Sequence, residues 1–144
     1  MAKVLIIGAS RGIGLEAVKA VLKAGHSVRA LARSVRRIRV EHPQLEKMAG
    51  DALEMATVKR ALTGIDIVFQ SLGVSVGLAI ILKPTRFFSK ATRVLVTAME
   101  EAQVKRLICV TGFGMLRLLW VKVSPGRNGG TPAGTINVRS SSPR

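Results

Sequence analysis

The feature that most constrains this chain is seven residues long. Gly8-Ala9-Ser10-Arg11-Gly12-Ile13-Gly14 stands where a wholly apolar run, Val4-Leu5-Ile6-Ile7, gives way to a helical pattern. A short run without polar alternation is a strand covered on both faces, the mark of a parallel sheet flanked by helices. From Gly12 to Lys23 the apolar residues Ile13, Ala17, Val18, Val21 and Leu22 recur at helical spacing, and Gly25 follows as a stop. Strand, glycine turn and helix open a βαβ unit. In that setting Gly8 permits the tight turn, Gly12 lets the backbone approach a pyrophosphate with no Cβ in the way, and Gly14 lets the helix pack closely on the strand. The helix N-terminus offers free N–H groups and its positive dipole end to phosphates. The spacing points to a bound dinucleotide, with Ser10, Arg11 and Ile13 as further contacts inside the turn.

The alternation then continues. Ser27 to Leu31 reads as a second strand, followed by a basic connection through His42-Pro43, and Leu45 to Ala49 as a third. Glu54 to Leu62 reads as a helix ended by Gly64, Ile65 to Gln70 as a fourth strand, Thr85 to Ala102 as a long helix, and Arg106 to Val110 as a fifth strand. Right-handed crossovers predict an α/β fold: a Rossmann doubly wound parallel sheet, five strands in order 3-2-1-4-5. The domain is expected to fill residues 1–114. Residues 115–144 shift to Gly, Ser, Pro and Arg and read as an atypical basic tail. Within it, Met115 to Val123 is apolar enough to lie along the open side of the fifth strand; left bare, that edge would invite self-association into a homo-oligomer.

Which dinucleotide is bound is decided about 20 residues after the glycine turn, where sites that prefer NAD place an acid on the ribose 2′-OH. Here that place holds Arg33 and Ser34, with Arg36 and Arg37 close behind. Guanidinium groups suit a 2′-phosphate, so NADP(H) is expected ahead of NAD(H).

The formal charge of +15 is uneven. Residues 115–144 contribute Arg117, Lys122, Arg127, Arg139 and Arg144 with no acid, and the densest basic run is Arg29, Arg33, Arg36, Arg37 and Arg39. With four Phe, one Trp and no Tyr, the chain lacks a stacking platform for nucleic acid, and no helix-turn-helix pattern is present, so a nucleic-acid partner is not expected. The longest apolar stretch, Leu72 to Leu82, is interrupted by Gly73, Ser75 and Gly77 and is too short for a membrane span. Without a signal-like N-terminus, a cytoplasmic location is expected. Cys109 cannot form an internal disulfide, and with only His26 and His42 beside it in the inventory no metal site is expected.

These residues resemble the short-chain dehydrogenase/reductase superfamily, and more closely its atypical NAD(P)H-binding branch, which includes flavin and biliverdin-IXβ reductase-like proteins and NAD-dependent epimerase/dehydratase-like ones. The carriers are Gly8–Gly14, Gly50-Asp51-Ala52 after the third strand, Ser71-Leu72-Gly73 after the fourth and Val110-Thr111-Gly112 after the fifth. The resemblance implies that Asp51 and Ala52 lie against the adenine, that the Leu72–Gly73 backbone lines the ribose side, and that Thr111 sits near the nicotinamide as the residue closest to the chemistry. Asp51 could equally be a loop acid capping the following helix, and Thr111 a hydroxyl bonded to backbone.

The chain departs from the main branch in one decisive respect. It has no tyrosine, so the tyrosine-lysine dyad that moves protons in that branch is absent. The resemblance then implies an oxidoreductase that holds NADPH against an unidentified small acceptor and takes its proton from solvent. A non-catalytic redox sensor, or an inactive truncated or frame-shifted member, stands as the alternative.

Overall fold

The apolar run around Val4 to Ile7 becomes β1 (Lys3–Ile7), an interior strand with β2 (Ser27–Ala32) on one side and β4 (Ile67–Gln70) on the other, both parallel to it. These positions come from a computed structural model that describes residues 1–72, 84–111, 117–123 and 136–140. β3 (Leu45–Ala49) adds to β2 and β5 (Arg106–Thr111) to β4, again in parallel, which gives the expected order 3-2-1-4-5.

Successive side chains of β1 enter two different cores, as the period of a strand requires. Val4 and Ile6 pack with Val18 and Leu22 of α1 (Gly12–Lys23). Leu5 and Ile7 pack on the other face with Val58 and Leu62 of α2 (Met55–Leu62) and with Leu95 and Met99 of α3 (Pro84–Glu101). Each fully buried leucine or isoleucine contributes about 1.5–3 kcal/mol, and this two-sided burial is why the run carries no polar residue. β4 starts at Ile67, two residues later than the pattern predicts. Ile65 is still in the turn that leaves α2, donating its N–H to the Leu62 carbonyl, and Asp66 ties that turn to β1 by accepting from the Lys3 N–H at 2.8 Å.

The sheet does not end at β5. β6 (Arg117–Val123) pairs antiparallel with it, from Arg106↔Lys122 to Thr111↔Arg117, and β7 (Ile136–Ser140) pairs antiparallel with β6. The expectation that Met115 to Val123 lies along β5 therefore holds for the strand residues. The segment after Gly114 thus contributes two strands, and the β5 edge has its backbone groups bonded to β6. The Leu72 to Leu82 stretch lies outside the described residues from Gly73 onward. Among the described residues no helix is long and apolar enough to cross a membrane.

One member of the basic run turns inward. Arg29 sits on β2 and is 9% exposed, with its Nη1 donating to the carbonyls of Ala61 at 2.8 Å and Thr63 at 2.9 Å, where α2 ends. A helix C-terminus leaves carbonyls without partners and carries partial negative charge, so a guanidinium satisfies both needs. Its Nε lies 2.9 Å from Glu46 Oε2 across the β2–β3 pair, a charge contact without an aligned hydrogen bond, and Lys3 Nζ reaches the same oxygen at 3.3 Å. Burial pushes the Glu46 carboxyl up, but Arg29 and Lys3 together outweigh it and hold it below its ordinary value.

Replacing Arg29 by methionine keeps the stem and strips the α2 carbonyls of their donor. The expected loss is about 2–4 kcal/mol in urea unfolding. Because the folded-state pKa of Glu46 is depressed, its contribution is present above the unfolded value and lost as pH falls through the folded one. Stability measured between about pH 5 and 3 is expected to fall less steeply in Glu46→Gln than in the wild type; parallel slopes would show that the carboxylate contributes nothing.

Candidate functional site

Three backbone hydrogen bonds align the carboxyl ends of the first four strands. Gly8 N–H donates to the Leu31 carbonyl at 3.1 Å, Ser71 N–H to the Ile7 carbonyl at 2.9 Å and Gly50 N–H to the Ala32 carbonyl at 3.2 Å. The turns that leave β1, β2, β3 and β4 therefore face one another, and between them lies a cleft of about 630 Å³. Gly8, Ser10, Arg11, Gly12, Ile13, Arg33, Ser34, Asp51, Ala52 and Leu72 all line it. Of the residues expected around a dinucleotide, Gly14 is set back beneath the turn, and Gly73 lies outside the described residues. Thr111 closes β5 in the backbone, but its side chain lies outside what is described.

The three glycines turn out to have different reasons. A Cβ on Gly14 would fall 2.2 Å from the Gly8 carbonyl oxygen, so the first turn of α1 can rest on the strand end only without one. Gly8 has φ +83°, and its Cβ would fall 2.3 Å from the Ser71 carbonyl oxygen. Gly12 has φ +57°, yet among the described residues no atom beyond its chain neighbours and its own helix backbone lies within 4 Å of where its Cβ would be. The protein itself demands Gly8 and Gly14, whereas the space at Gly12 is left open on the cleft. Beside it, α1 begins after Arg11, whose backbone is extended and which supplies no side-chain cap, and the first turn holds no acid. Its leading N–H groups thus have no side-chain cap among the described residues, which is what an anion-binding helix start requires.

At the end of β2 the chain passes from buried Ala32 to exposed Arg33 and Ser34, then makes a 3-10 turn over Val35–Arg37. Ile38, 1% exposed, pins that turn into the α1-side core. The tight turn brings Arg37 back to line the cleft with Arg33 and Ser34, while Arg36 and Arg39 are exposed and do not line it. Among the described residues neither Arg33 nor Arg37 has an ion pair, and the only acid on the cleft wall is Asp51.

Asp51 is partly committed to its own loop. Its Oδ1 accepts from the Leu53 N–H at 2.9 Å and its carbonyl from the Glu54 N–H at 3.1 Å. The residue that flanks α2 is Glu54, so Asp51 caps the turn before the helix and not the helix itself. Sequence reasoning passed over Ile7, Leu31 and Ala32 as cleft residues, reached Gly50 and Ser71 only as parts of the segments that carry the resemblance, and underweighted Arg37. The first five are the last residues of their strands or next to them, a signal legible once the topology is known; Arg37 depends on the 3-10 turn, which no periodicity announces.

The other reactive side chains are engaged elsewhere. Cys109 is buried in β5 and burial pushes its thiol pKa up, so it is no nucleophile at neutral pH. His26 Nδ1 accepts from the Ala2 N–H and His42 Nδ1 from the Gln44 N–H. No group of three metal-ligating side chains occurs among the described residues.

Residues 8–132 match the model of a family described as NAD(P)H-binding. The chain belongs to the NAD(P)H-binding family. Solved structures agree. A Rossmann-fold NAD(P)-binding family protein from Shigella flexneri is 27% identical, with 80% of this chain and 54% of that one covered and a TM-score of 0.65. The Bordetella bronchiseptica enzyme WbmH in complex with NAD+ is 21% identical, with 74% and 38% covered and a TM-score of 0.64. A wide-type short-chain dehydrogenase/reductase from Veillonella parvula in complex with NADP is 18% identical, with 78% and 48% covered and a TM-score of 0.63. The latter two establish the likeness of fold. The chain spans about half the length, or less, of these three proteins. As a member of an NAD(P)H-binding family, it has a nicotinamide dinucleotide as its cofactor, and the glycine turn, uncapped helix start and open space at Gly12 fit that ligand.

The different reasons for the glycines can be separated by experiment. Gly8→Ala is expected to lower stability by roughly 2–5 kcal/mol, through the clash and the positive φ together. Gly12→Ala should cost only about 1–2 kcal/mol, from φ alone, yet weaken dinucleotide binding at least tenfold in a calorimetric titration. Equal destabilisation by the two would contradict the open space at Gly12.

Proposed function

We propose that this protein binds NADP(H) in preference to NAD(H) and serves hydride transfer between NADPH and a small-molecule acceptor. The observation that carries the first half is the end of β2, where Arg33, Ser34 and Arg37 line the cleft and no acid stands to receive a ribose 2′-OH. Two guanidinium groups and a hydroxyl offer donors to a phosphate monoester from two sides, and charge-assisted bonds of this kind are about twice as strong as neutral ones. In this reading Gly8, Ser10, Arg11, Gly12 and Ile13 hold the pyrophosphate at the start of α1, with Gly14 supporting the turn from below. Asp51 and Ala52 flank the adenine, Leu72 and Gly73 the ribose side, and Thr111, at the carboxyl end of β5, sits near the nicotinamide.

The bound cofactor would supply a hydride. The chain's own part is to fix the cofactor's position and to bring no phenol to the reaction, since it has no tyrosine. In this reading the proton for the product comes from solvent, which suits an acceptor that needs no strong general acid, such as a flavin or a quinone. The missing tyrosine equally favours a second reading, a redox sensor that binds the dinucleotide without turnover.

Titration of the full chain with NADPH and NADH tests the preference. Arg33→Ala and Arg37→Ala are each expected to weaken NADPH binding by about ten- to a hundredfold and NADH binding by less than threefold. Equal losses for both ligands would remove the 2′-phosphate assignment. Sustained NADPH oxidation with a flavin or quinone acceptor separates the enzyme from the sensor.

A further inference from the structure

The last residue of β4 is a polar one in an apolar place. Gln70 follows Ile67, Val68 and Phe69 and is 0% exposed, and burying a carboxamide costs free energy unless its groups are bonded. Its Nε2 donates to Thr92 Oγ1 of α3 at 3.1 Å, and the Cys109 thiol of β5 approaches its Oε1 at 3.9 Å. One side chain thus joins β4, β5 and α3. The very next residues, Ser71 and Leu72, form the β4 wall of the cleft, and Ser71 is held against β1 both by its bond to Ile7 and by the close approach of its carbonyl to Gly8.

An apolar side chain would fill this space and leave only the half-buried Thr92 hydroxyl, which water can reach, and the weakly bonding Cys109 thiol without this partner, so fold stability gives little reason for the carboxamide. What it does provide is direction. A hydrogen bond fixes the height and rotation of α3 relative to the end of β4 more narrowly than apolar packing does. Burial keeps the Cys109 thiol protonated and therefore a donor to Gln70.

We propose that Gln70 is a positioning residue for the dinucleotide cleft: bonded to Thr92 and approached by Cys109, it sets the end of β4 so that the Ser71–Leu72 wall meets the ribose and nicotinamide half of the cofactor. The inference rests on the function proposed above. It concerns only the half of the ligand that reaches β4, because the 2′-phosphate contacts come from the end of β2.

The test compares two ligands on the full chain: NADPH, and adenosine 2′,5′-bisphosphate, which lacks the nicotinamide half. In Gln70→Leu, and in Thr92→Val, which breaks the same bond from α3, NADPH is expected to bind about tenfold more weakly. The bisphosphate should bind within twofold of wild type, with no fall in the thermal midpoint, and Gln70→Glu, which keeps an acceptor for the Cys109 and Thr92 hydrogens, should recover part of the NADPH affinity. NADPH affinity within twofold of wild type in either folded variant would overturn the proposal. So would equal loss for both ligands together with a lowered midpoint, since that is a purely structural role. A wild-type chain that binds neither ligand would instead remove the function on which this inference rests, and the inference with it.

Discussion

There is no room for a methyl group between the first turn of α1 and the end of β1, and the rest of the carboxyl side of the sheet depends on that. With Gly14 bare, α1 settles directly on the Gly8 carbonyl, and its leading N–H groups come level with the strand ends. The Gly8 N–H then bonds across to β2, while the Ser71 carbonyl presses in from β4. A side chain at either glycine would push the helix outward, and the open space at Gly12 would lose its floor. Packing constraints and ligand constraints therefore meet within seven residues, which explains why so short a segment says so much about the whole chain.

The basic run after β1 divides its labour by strand geometry. Alternation along β2 directs Arg29 into the α2-side face, where it neutralises a helix end and pairs with Glu46. Arg33 leaves the strand at its carboxyl end and meets the cleft; the 3-10 turn then sends Arg37 back to the same place and leaves Arg36 and Arg39 outside. Similar residues close in sequence thus serve an ion pair buried on one side only, a cleft wall and a solvated surface. The large net charge alone distinguishes none of these.

Most of the fold was legible because its signals are local and repeated. The apolar runs of β1, β4 and β5 and the helical spacing of α1 and α3 each name an element, and handedness fixes their order. β4 was placed too early because Ile65 is buried as a turn residue, and burial without backbone pairing looks the same in sequence. The strand beyond Gly114 was harder. β6 was foreseen only as an apolar segment able to cover an edge, and β7 not at all, since a glycine- and proline-rich stretch precedes it. In the cleft, residues inside the glycine motif could be read directly. Ile7, Leu31 and Ala32 could not, because what brings them there is the alignment of four strand ends. Gln70 was invisible for a further reason: its partners Thr92 and Cys109 are distant in the chain, and a polar residue ending a strand ordinarily signals only the approach of a turn.

The cleft is assembled from the ends of four strands that are far apart along the chain, joined by the bonds of Gly8, Ser71 and Gly50. The unfolded chain has no counterpart to it. A ligand that recognises only the assembled form draws the folding equilibrium toward that form, by about 2.7 kcal/mol when its concentration is a hundred times its dissociation constant. For a domain whose whole margin is of order 5–15 kcal/mol, this is a large share. The supply of nicotinamide dinucleotide therefore governs how much of this protein survives proteolysis as well as how much of it is loaded.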